Sequence, residues 1–100
     1  MTTINYYVGL NDKDEHKQLF TIDEARIIIT TIVGFYYDSF TMTKCVGVYK
    51  GETEHTIKVT VMSNYIEHVR NDKELIAMLK EYLNQECIGI EVIQSNVSFE

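Results

Sequence analysis

The chain has 100 residues, of which 45% are hydrophobic and 24% are charged, and its formal net charge is −6. This length is enough for one hydrophobic core, so we expect a single domain spanning residues 1–100. The acidic balance argues against binding long DNA or RNA, because that affinity comes from basic side chains that neutralise phosphates. The sequence has no apolar run of about 20 residues and no signal-peptide pattern, which predicts no membrane span and a cytoplasmic location in the host cell.

The first half of the chain predicts a strand, a helix and a second strand. Residues 4–10 alternate between apolar and polar side chains, as a half-buried strand does. Thr21 and Glu24 have the spacing of a capping box, and apolar residues at helical spacing follow them as far as Gly34. Residues 40–49 alternate again and predict the second strand.

The second half predicts a hairpin, a second helix and a last strand. A polar turn at residues 50–54 connects residues 40–49 to a strand at residues 55–62. Residues 71–74 resemble a capped helix start, and an apolar stripe then runs to about Asn84. Residues 88–92 predict the last strand. The order β-α-β-β-α-β indicates an α+β fold, the ferredoxin-like sandwich, in which a four-stranded antiparallel sheet carries two helices on one face.

The alternation of side chains assigns the strand residues to the two faces of this sheet. The helix-facing set is Val8, Leu10, Val46, Val48, Ile57, Val59, Val61, Ile88, Ile90 and Val92. The opposite face, called the open face below, carries Asn5, Tyr7, Gly9, Thr43, Cys45, Gly47, Tyr49, Lys58, Thr60, Met62, Cys87, Gly89 and Glu91. Glycines inside strands often mark the close approach of a ligand or another backbone. The open face is also rather apolar, so we expect a second subunit of a homo-oligomer to cover it. The alternatives are a bulge that shifts the alternation, or residues 94–100 folding over the face.

An aromatic cluster lies between the first helix and the second strand, where Phe35, Tyr36, Tyr37 and Phe40 fall within six residues. Rings at such a junction either pack a subunit interface or form a platform for a flat ligand. Tyr36 and Tyr37 of this cluster are therefore candidates to stack a purine, and Tyr82 in the second predicted helix is another candidate. Core or interface packing is the alternative for each of them.

Two polar segments are candidate ligand contacts. Asn84, Gln85 and Glu86 follow the second helix, and the Asn and Gln amides match the donor and acceptor pattern of adenine. The alternative is that these residues cap the helix and turn the chain. Arg70 and Lys73 flank the start of the same helix, where a phosphate can bind with help from backbone amides. An exposed basic pair is the alternative there.

The sequence contains no recognisable catalytic motif. Its three histidines lack metal-site spacing, and no Ser or Cys has the context of a nucleophile. Cys45 and Cys87 are most simply buried, reduced thiols. We therefore expect a protein that is not an enzyme and that holds no cofactor and no metal.

The chain resembles small phage-encoded proteins of the Thoeris anti-defence type in three segments, namely residues 6–10, 41–49 and 83–86. That family forms symmetric oligomers that sequester cyclic nucleotide immune signals without cleaving them. The resemblance implies a non-catalytic phage anti-defence protein that binds a cyclic nucleotide, either cyclic ADP-ribose-like or a cyclic oligoadenylate. Among the candidate residues, Asn84, Gln85 and Glu86 match the family by motif. The chain has two arginines, Arg26 and Arg70, which departs from a pocket built on guanidinium groups.

Three alternative functions stay open at this point. The low pI favours a protein-binding inhibitor of a host defence enzyme. The strand order also suits a small-molecule-sensing regulatory domain. A small enzyme of the dimeric α+β-barrel kind is the third alternative, and a buried His or carboxylate in a deep pocket would support it.

Overall fold

The architecture is that of the predicted ferredoxin-like sandwich. The computed structural model describes residues 1–63, 72–94, 96–98 and 100. Their elements, in chain order, are β1 (Thr2–Gly9), α1 (Ile22–Gly34), β2 (Thr41–Tyr49), β3 (Glu52–Ser63), α2 (Lys73–Tyr82) and β4 (Gly89–Gln94). The four strands form an antiparallel sheet in the order β2-β3-β1-β4. This confirms the α+β prediction. Neither helix in the described ranges is both long and apolar enough to cross a lipid bilayer.

Helix α1 begins at the predicted capping box. The Thr21 hydroxyl accepts from the backbone N–H of Glu24 at 3.1 Å, and the Glu24 carboxylate accepts from the N–H of Thr21 at 3.0 Å. These hydrogen bonds hold the pKa of Glu24 below its ordinary value. Because two otherwise unpaired backbone donors are satisfied, the helix forms despite the β-branched residues that follow. It buries one face, made of Ala25, Ile29, Ile32 and Val33.

Helix α2 starts where the sequence predicts, but without the expected side-chain cap. Asp72 is the N-cap residue, and its side chain makes no capping hydrogen bond. The carboxylate accepts instead from the hydroxyl of Tyr6 in β1 at 2.9 Å, and that hydroxyl also lies 3.3 Å from the Tyr37 hydroxyl. Burial, and then the contacts with Tyr37 and Asp72, raise the pKa of Tyr6. Tertiary bonding has therefore replaced local capping, and it joins α2 to the centre of the sheet.

The strand alternation is confirmed, although part of the predicted helix-facing set is exposed. The core lies between the sheet and the helices, with Ile4, Val8, Ile29, Val59, Leu75 and Leu79 among its buried residues. Val46 and Val48 are on the helix side, as their pairing with His55 and Thr53 shows, yet they are 63% and 72% exposed. Ile90 and Val92 on the edge strand β4 are also exposed. These strand residues lie beyond the area that α1 and α2 cover, so a residue on the helix side of the sheet is not necessarily buried.

The connection between β2 and β3 is shorter than predicted. Tyr49 pairs with Glu52, and the two central residues, Lys50 and Gly51, have positive φ angles of 50° and 80°. Positive φ at both positions is typical of a type I′ turn, which suits the twist of a hairpin. The predicted five-residue turn at 50–54 is therefore wrong. As a result, Glu52 and Glu54 belong to β3 and project from the sheet.

Candidate ligand-binding cleft on the open sheet face

A cleft of about 410 Å³ lies at one end of the open face. It is bounded by the end of β1 and the loop after it, by the tip of the β2–β3 hairpin, and by the segment that precedes β4. We call it the open-face cleft. Its main lining residues are Tyr7, Gly9, Asn11, Asp12, Lys13, Gly47, Tyr49, Lys50, Glu52, Glu54, Gln85, Glu86, Cys87 and Gly89. Its volume is within the range of about 300–1,000 Å³ that small-molecule sites occupy.

Three strand glycines form the floor of the cleft, and a neighbouring side chain lies close to each of them. A Cβ atom on Gly47 would be 3.0 Å from the Thr56 hydroxyl oxygen, and one on Gly89 would be 3.2 Å from Cβ of Tyr7. On Gly9 the carboxylate of Glu54 already occupies the position of a Cβ atom. The close approach expected at these glycines is therefore made, in this structure, by side chains of the same sheet.

Glu54 is the half-buried acid of the cleft. Its Oε2 atom accepts from the backbone N–H of Asn11 at 3.0 Å, which fixes the carboxylate over β1. The Asn11 side chain donates to the carbonyl of Thr53 at 3.3 Å and holds the loop beside β3. Within the described part of the chain, Oε1 of Glu54 has no hydrogen-bond partner. One oxygen is thus held by the protein, and the other is available to a ligand.

An ion pair joins the two sides of the cleft at its rim. The Lys50 ammonium contacts both carboxylate oxygens of Glu86, at 3.0 and 3.1 Å, and the Tyr49 hydroxyl donates to one of them at 3.1 Å. The thiol of Cys87 lies 3.5 Å from the same hydroxyl. Lys50, and then Tyr49, hold the pKa of Glu86 below its ordinary value, whereas Cys87 and Glu86 raise the pKa of Tyr49. These contacts connect the hairpin tip to the segment before β4.

The third side of the cleft is held by the buried carboxylate of Asp12. It accepts from the Asn84 amide at 2.8 Å and from the backbone N–H groups of Glu15 and Asp14 at 3.0 and 3.1 Å. The Asn84 hydrogen bond is the largest of the effects that lower the pKa of Asp12. Gln85 is buried and donates to the carbonyl of Asn11 at 2.8 Å. Both amides thus bond within the chain, and their recognition of adenine stays a prediction.

The centre of the open face is polar rather than apolar. Oε1 of Glu91 accepts from the Tyr7 hydroxyl and from the Asn5 amide, each at 2.9 Å. The Thr60 hydroxyl donates to the side-chain amide oxygen of Asn5, Oδ1, at 2.7 Å. The Asn5 and Tyr7 hydrogen bonds lower the pKa of Glu91. The predicted cover by a second subunit stays a prediction, and such a cover would meet this network as well as apolar side chains.

Four other predicted site residues that the structure describes do not line the open-face cleft. The exposed Tyr36 contacts Met78 of α2 through its hydroxyl at 3.4 Å, and Tyr37 packs beside the core. Tyr82 is exposed near the end of α2, and Lys73 is the first residue of that helix. Arg70 lies outside the described residues. Of the predicted set, Gln85 and Glu86 line the cleft and Asn84 supports its loop.

The sequence reasoning missed Glu54, Tyr49 and Lys50 as site residues. The signal that pointed towards them was the placement of Tyr49 and the glycines on one face. The two thiols are free as predicted, but they are not buried, since Cys45 is half-buried and Cys87 is exposed. Among the described residues, no group of three or more His, Cys, Asp or Glu side chains is arranged to hold a metal ion.

The fold and the cleft together define a ferredoxin-like sandwich with a candidate ligand site on the side of the sheet that α1 and α2 leave uncovered. No family model matches the chain, and no curated protein matches it either. Among solved structures, it is similar to a phage SAM lyase in complex with S-methyl-5'-thioadenosine, with a TM-score of 0.73 and 20% identity over 93% of this chain and 80% of that one. The same lyase in its apo state gives a TM-score of 0.73 and 21% identity, over 92% and 78% of the two chains. A de novo designed protein, Foldit4, is similar at a TM-score of 0.52 and 11% identity, over 95% and 98%.

These likenesses correct one expectation from the sequence. The prediction that the chain is not an enzyme is contradicted, because the phage proteins that share its fold are lyases. At 20% and 21% identity, the likeness itself shows the fold. It does not point to the Thoeris type of protein that the sequence resembles. The support named above for a small enzyme was a buried His or carboxylate in a deep pocket, whereas Glu54 is a half-buried carboxylate that lines the open-face cleft.

Proposed function

We propose that the chain is a phage anti-defence enzyme that binds SAM (S-adenosylmethionine) in the open-face cleft and cleaves it, releasing S-methyl-5'-thioadenosine. The observation that carries this proposal is the acidic cleft at the end of a fold shared, over 93% of the chain, with a phage SAM lyase in complex with that product. Loss of SAM deprives methylation reactions of their methyl donor. An enzyme with this activity would therefore oppose any host defence that depends on methylation.

The charge of the cleft favours a cationic ligand. Four acids line it, namely Asp12, Glu52, Glu54 and Glu86, whereas its lysines are Lys13 and Lys50. SAM carries a positive sulfonium, which such a site attracts. A cyclic nucleotide carries negative phosphates, which the same acids repel. The cleft therefore supports a sulfonium ligand over the cyclic nucleotide that the sequence suggested.

Two tyrosines give the cleft flat apolar surfaces. Tyr7 on β1 and Tyr49 on β2 both line it. Stacking of a base on an aromatic ring contributes about 1–3 kcal/mol, and rings also attract cations. These side chains suit the adenine and the sulfonium of SAM, and they take the stacking role first assigned to Tyr36, Tyr37 and Tyr82.

The reaction breaks the bond between the sulfonium sulfur and the γ-carbon of the methionine part of SAM. The bonding electron pair stays on sulfur, which becomes the neutral thioether of S-methyl-5'-thioadenosine. The γ-carbon then gains a bond to the fragment's own carboxylate oxygen, which closes a lactone, or the β-carbon loses a proton and an alkene forms. Neither route consumes water. Oε1 of Glu54 can balance the sulfonium charge in the first route and accept the β-proton in the second.

The test is to incubate the purified chain with SAM and to quantify SAM and S-methyl-5'-thioadenosine by mass spectrometry. We expect one product molecule for each SAM lost, with no methyl acceptor present. The mass of the initial four-carbon fragment in ¹⁸O-labelled water separates a lyase from a hydrolase, because only hydrolysis places solvent oxygen in it at the cleavage step. SAM that survives unchanged, together with no calorimetric binding of SAM or product, would overturn the proposal. Binding of cyclic ADP-ribose or a cyclic oligoadenylate with SAM untouched would overturn it as well.

A further inference from the structure

The rim of the open-face cleft holds two opposite charges that come from separate segments. Lys50 is in the hairpin turn and Glu86 precedes β4, and the lysine ammonium contacts both carboxylate oxygens. Their side chains are 67% and 53% exposed. We call these two residues the rim pair. Exposed ion pairs contribute little net stability, so a ligand that offers each partner an equivalent charge can separate them at small cost.

We propose that the rim pair is the recognition site for the zwitterionic amino-acid end of the ligand. The α-carboxylate of the ligand would bind the Lys50 ammonium, and its α-ammonium would bind the Glu86 carboxylate. This inference rests on the proposed function, because it names the part of SAM that the rim pair holds. Adenine and ribose carry no charge and the sulfonium carries one, so the amino-acid end is the part of SAM with two opposite charges close together.

The surroundings of Glu86 support such an exchange. The Tyr49 hydroxyl donates to its Oε2 atom at 3.1 Å and holds the carboxylate in place independently of Lys50. Lys50 extends from a turn with positive φ at the hairpin tip, and its exposed ammonium also lies 5.5 Å from the centroid of the Tyr49 ring. The carboxylate therefore has a hydrogen bond that does not depend on Lys50, and the exposed ammonium can turn towards a ligand. A zwitterion can enter between them without displacing the glycine floor or Glu54.

This arrangement distinguishes substrate from product. S-methyl-5'-thioadenosine lacks the amino-acid end. Once the bond to sulfur is broken, it therefore makes no contact with Lys50 or Glu86. The rim pair can then close again, which favours release of the product.

The experiment compares S-adenosylhomocysteine with S-methyl-5'-thioadenosine by calorimetry. The first ligand has the complete amino-acid end and a neutral sulfur that is a poor leaving group, and the second has no amino-acid end. We expect Lys50→Met and Glu86→Gln each to weaken S-adenosylhomocysteine binding about tenfold or more, since each removes a charge-assisted hydrogen bond. Binding of S-methyl-5'-thioadenosine should stay within about twofold, because neither residue contacts it in the proposed mode. Lys50→Arg should keep most of the wild-type affinity.

Decarboxylated SAM separates the two contacts. It lacks the carboxylate assigned to Lys50, so Lys50→Met should leave its affinity unchanged while Glu86→Gln still reduces it. Lys44→Met and Glu81→Gln remove the same charges from exposed sites outside the cleft and serve as matched controls. Thermal unfolding of each variant shows that the fold is retained.

The possible results separate this inference from the proposed function. If the wild type binds both ligands and the rim variants alter them equally or not at all, the inference is overturned while the proposed function stands. A wild type that binds neither ligand overturns the proposed function and this inference with it. A selective loss of S-adenosylhomocysteine binding supports the inference.

Discussion

The carboxylate of Glu54 occupies the space above Gly9 that the side chain of any other residue at position 9 would fill. The two residues lie on neighbouring strands, and the acid reaches over β1 because the glycine has no Cβ atom. The backbone N–H of Asn11, just beyond the strand, then holds one carboxylate oxygen. The position of Glu54 in the cleft therefore depends on the lack of a side chain at Gly9.

Substitution of Gly9 by alanine should displace Glu54. The new methyl group would overlap the carboxylate, which is the far end of a flexible side chain and can therefore move aside without a large cost to the fold. We expect weaker ligand binding by calorimetry with little change in the thermal midpoint. Gly34→Ala is the matched control, because a Cβ atom there meets nothing within 4 Å. Equal behaviour of the two variants would show that the Gly9 contact is unimportant.

Substitution of Glu54 by glutamine should reduce SAM cleavage and spare product binding. The change keeps the size of the side chain and removes the charge that faces the sulfonium. Loss of one preorganised electrostatic contact typically costs about 10²–10³ in rate, and we expect a fall of that order in kcat. The affinity for the neutral product should change little. Glu74→Gln, outside the cleft, is the control in the same assay, and a similar loss there would contradict the assignment.

Substitution of Tyr6 by phenylalanine should destabilise the protein without altering the cleft. The hydroxyl is buried and donates to Asp72 at 2.9 Å, and removing one donor to a buried carboxylate costs about 1–3 kcal/mol. For a domain of this size, each kcal/mol lowers Tm by roughly 4–8 °C. Differential scanning calorimetry measures the effect. Tyr82→Phe, on an exposed ring, should leave Tm nearly unchanged, and an equal loss in both variants would argue against the buried bond.

Acidification should release the loop that Asp12 holds. The Asn84 amide and two backbone N–H groups lower the pKa of Asp12 in the folded state. Its contribution to stability is therefore complete above the ordinary aspartate pKa of about 3.9, and it is lost as the pH falls through the lower, folded value. Thermal unfolding measured from pH 6 downwards should show that Tm of the wild type falls as Asp12 becomes protonated. The fall in Tm should be smaller in Asp12→Asn. If the exposed control Asp38→Asn flattens the curve as much, the assignment to Asp12 fails.

The open face is still expected to bind a second copy of the chain. An additional positive charge on this face should then disrupt the assembly, because an unpaired charge is costly to bury at an interface. Thr43→Arg places this charge on the open face, and Val46→Arg places it on the helix side of the same strand. Sedimentation velocity should show dissociation in the first variant alone. A wild type that sediments as a monomer at high concentration would contradict the expectation directly.

The fold was predictable because local signals agreed with the global arrangement. The capping box at Thr21 and the alternation in the strands specify elements whose order admits few topologies. The alternation also predicts that the three strand glycines and Tyr49 lie on one face.

The acids of the cleft were harder to predict. Residues 50–54 are polar throughout and resemble a loop, and a lysine with positive φ in a two-residue turn is an uncommon choice. Glu54 was therefore assigned to the turn, although it belongs to a strand. Glu86 becomes part of the site only when the fold brings it to Lys50.

Tyr37 is a candidate for stacking in the sequence, but its hydroxyl lies beside Tyr6 because tertiary packing draws the ring to the core. The proposed catalysis has no local motif, since the residues of the cleft come from three distant segments.

The glycine floor has a consequence for how such a protein can change its target over evolution. At the proposed ligand site the floor consists of glycines, and the space above them is taken by neighbouring side chains, chiefly the Glu54 carboxylate over Gly9. Selectivity then resides in the few side chains around the perimeter, and these lie at turns and strand ends where replacement hardly disturbs the core. The same scaffold can therefore acquire a different small-molecule preference through a handful of peripheral substitutions.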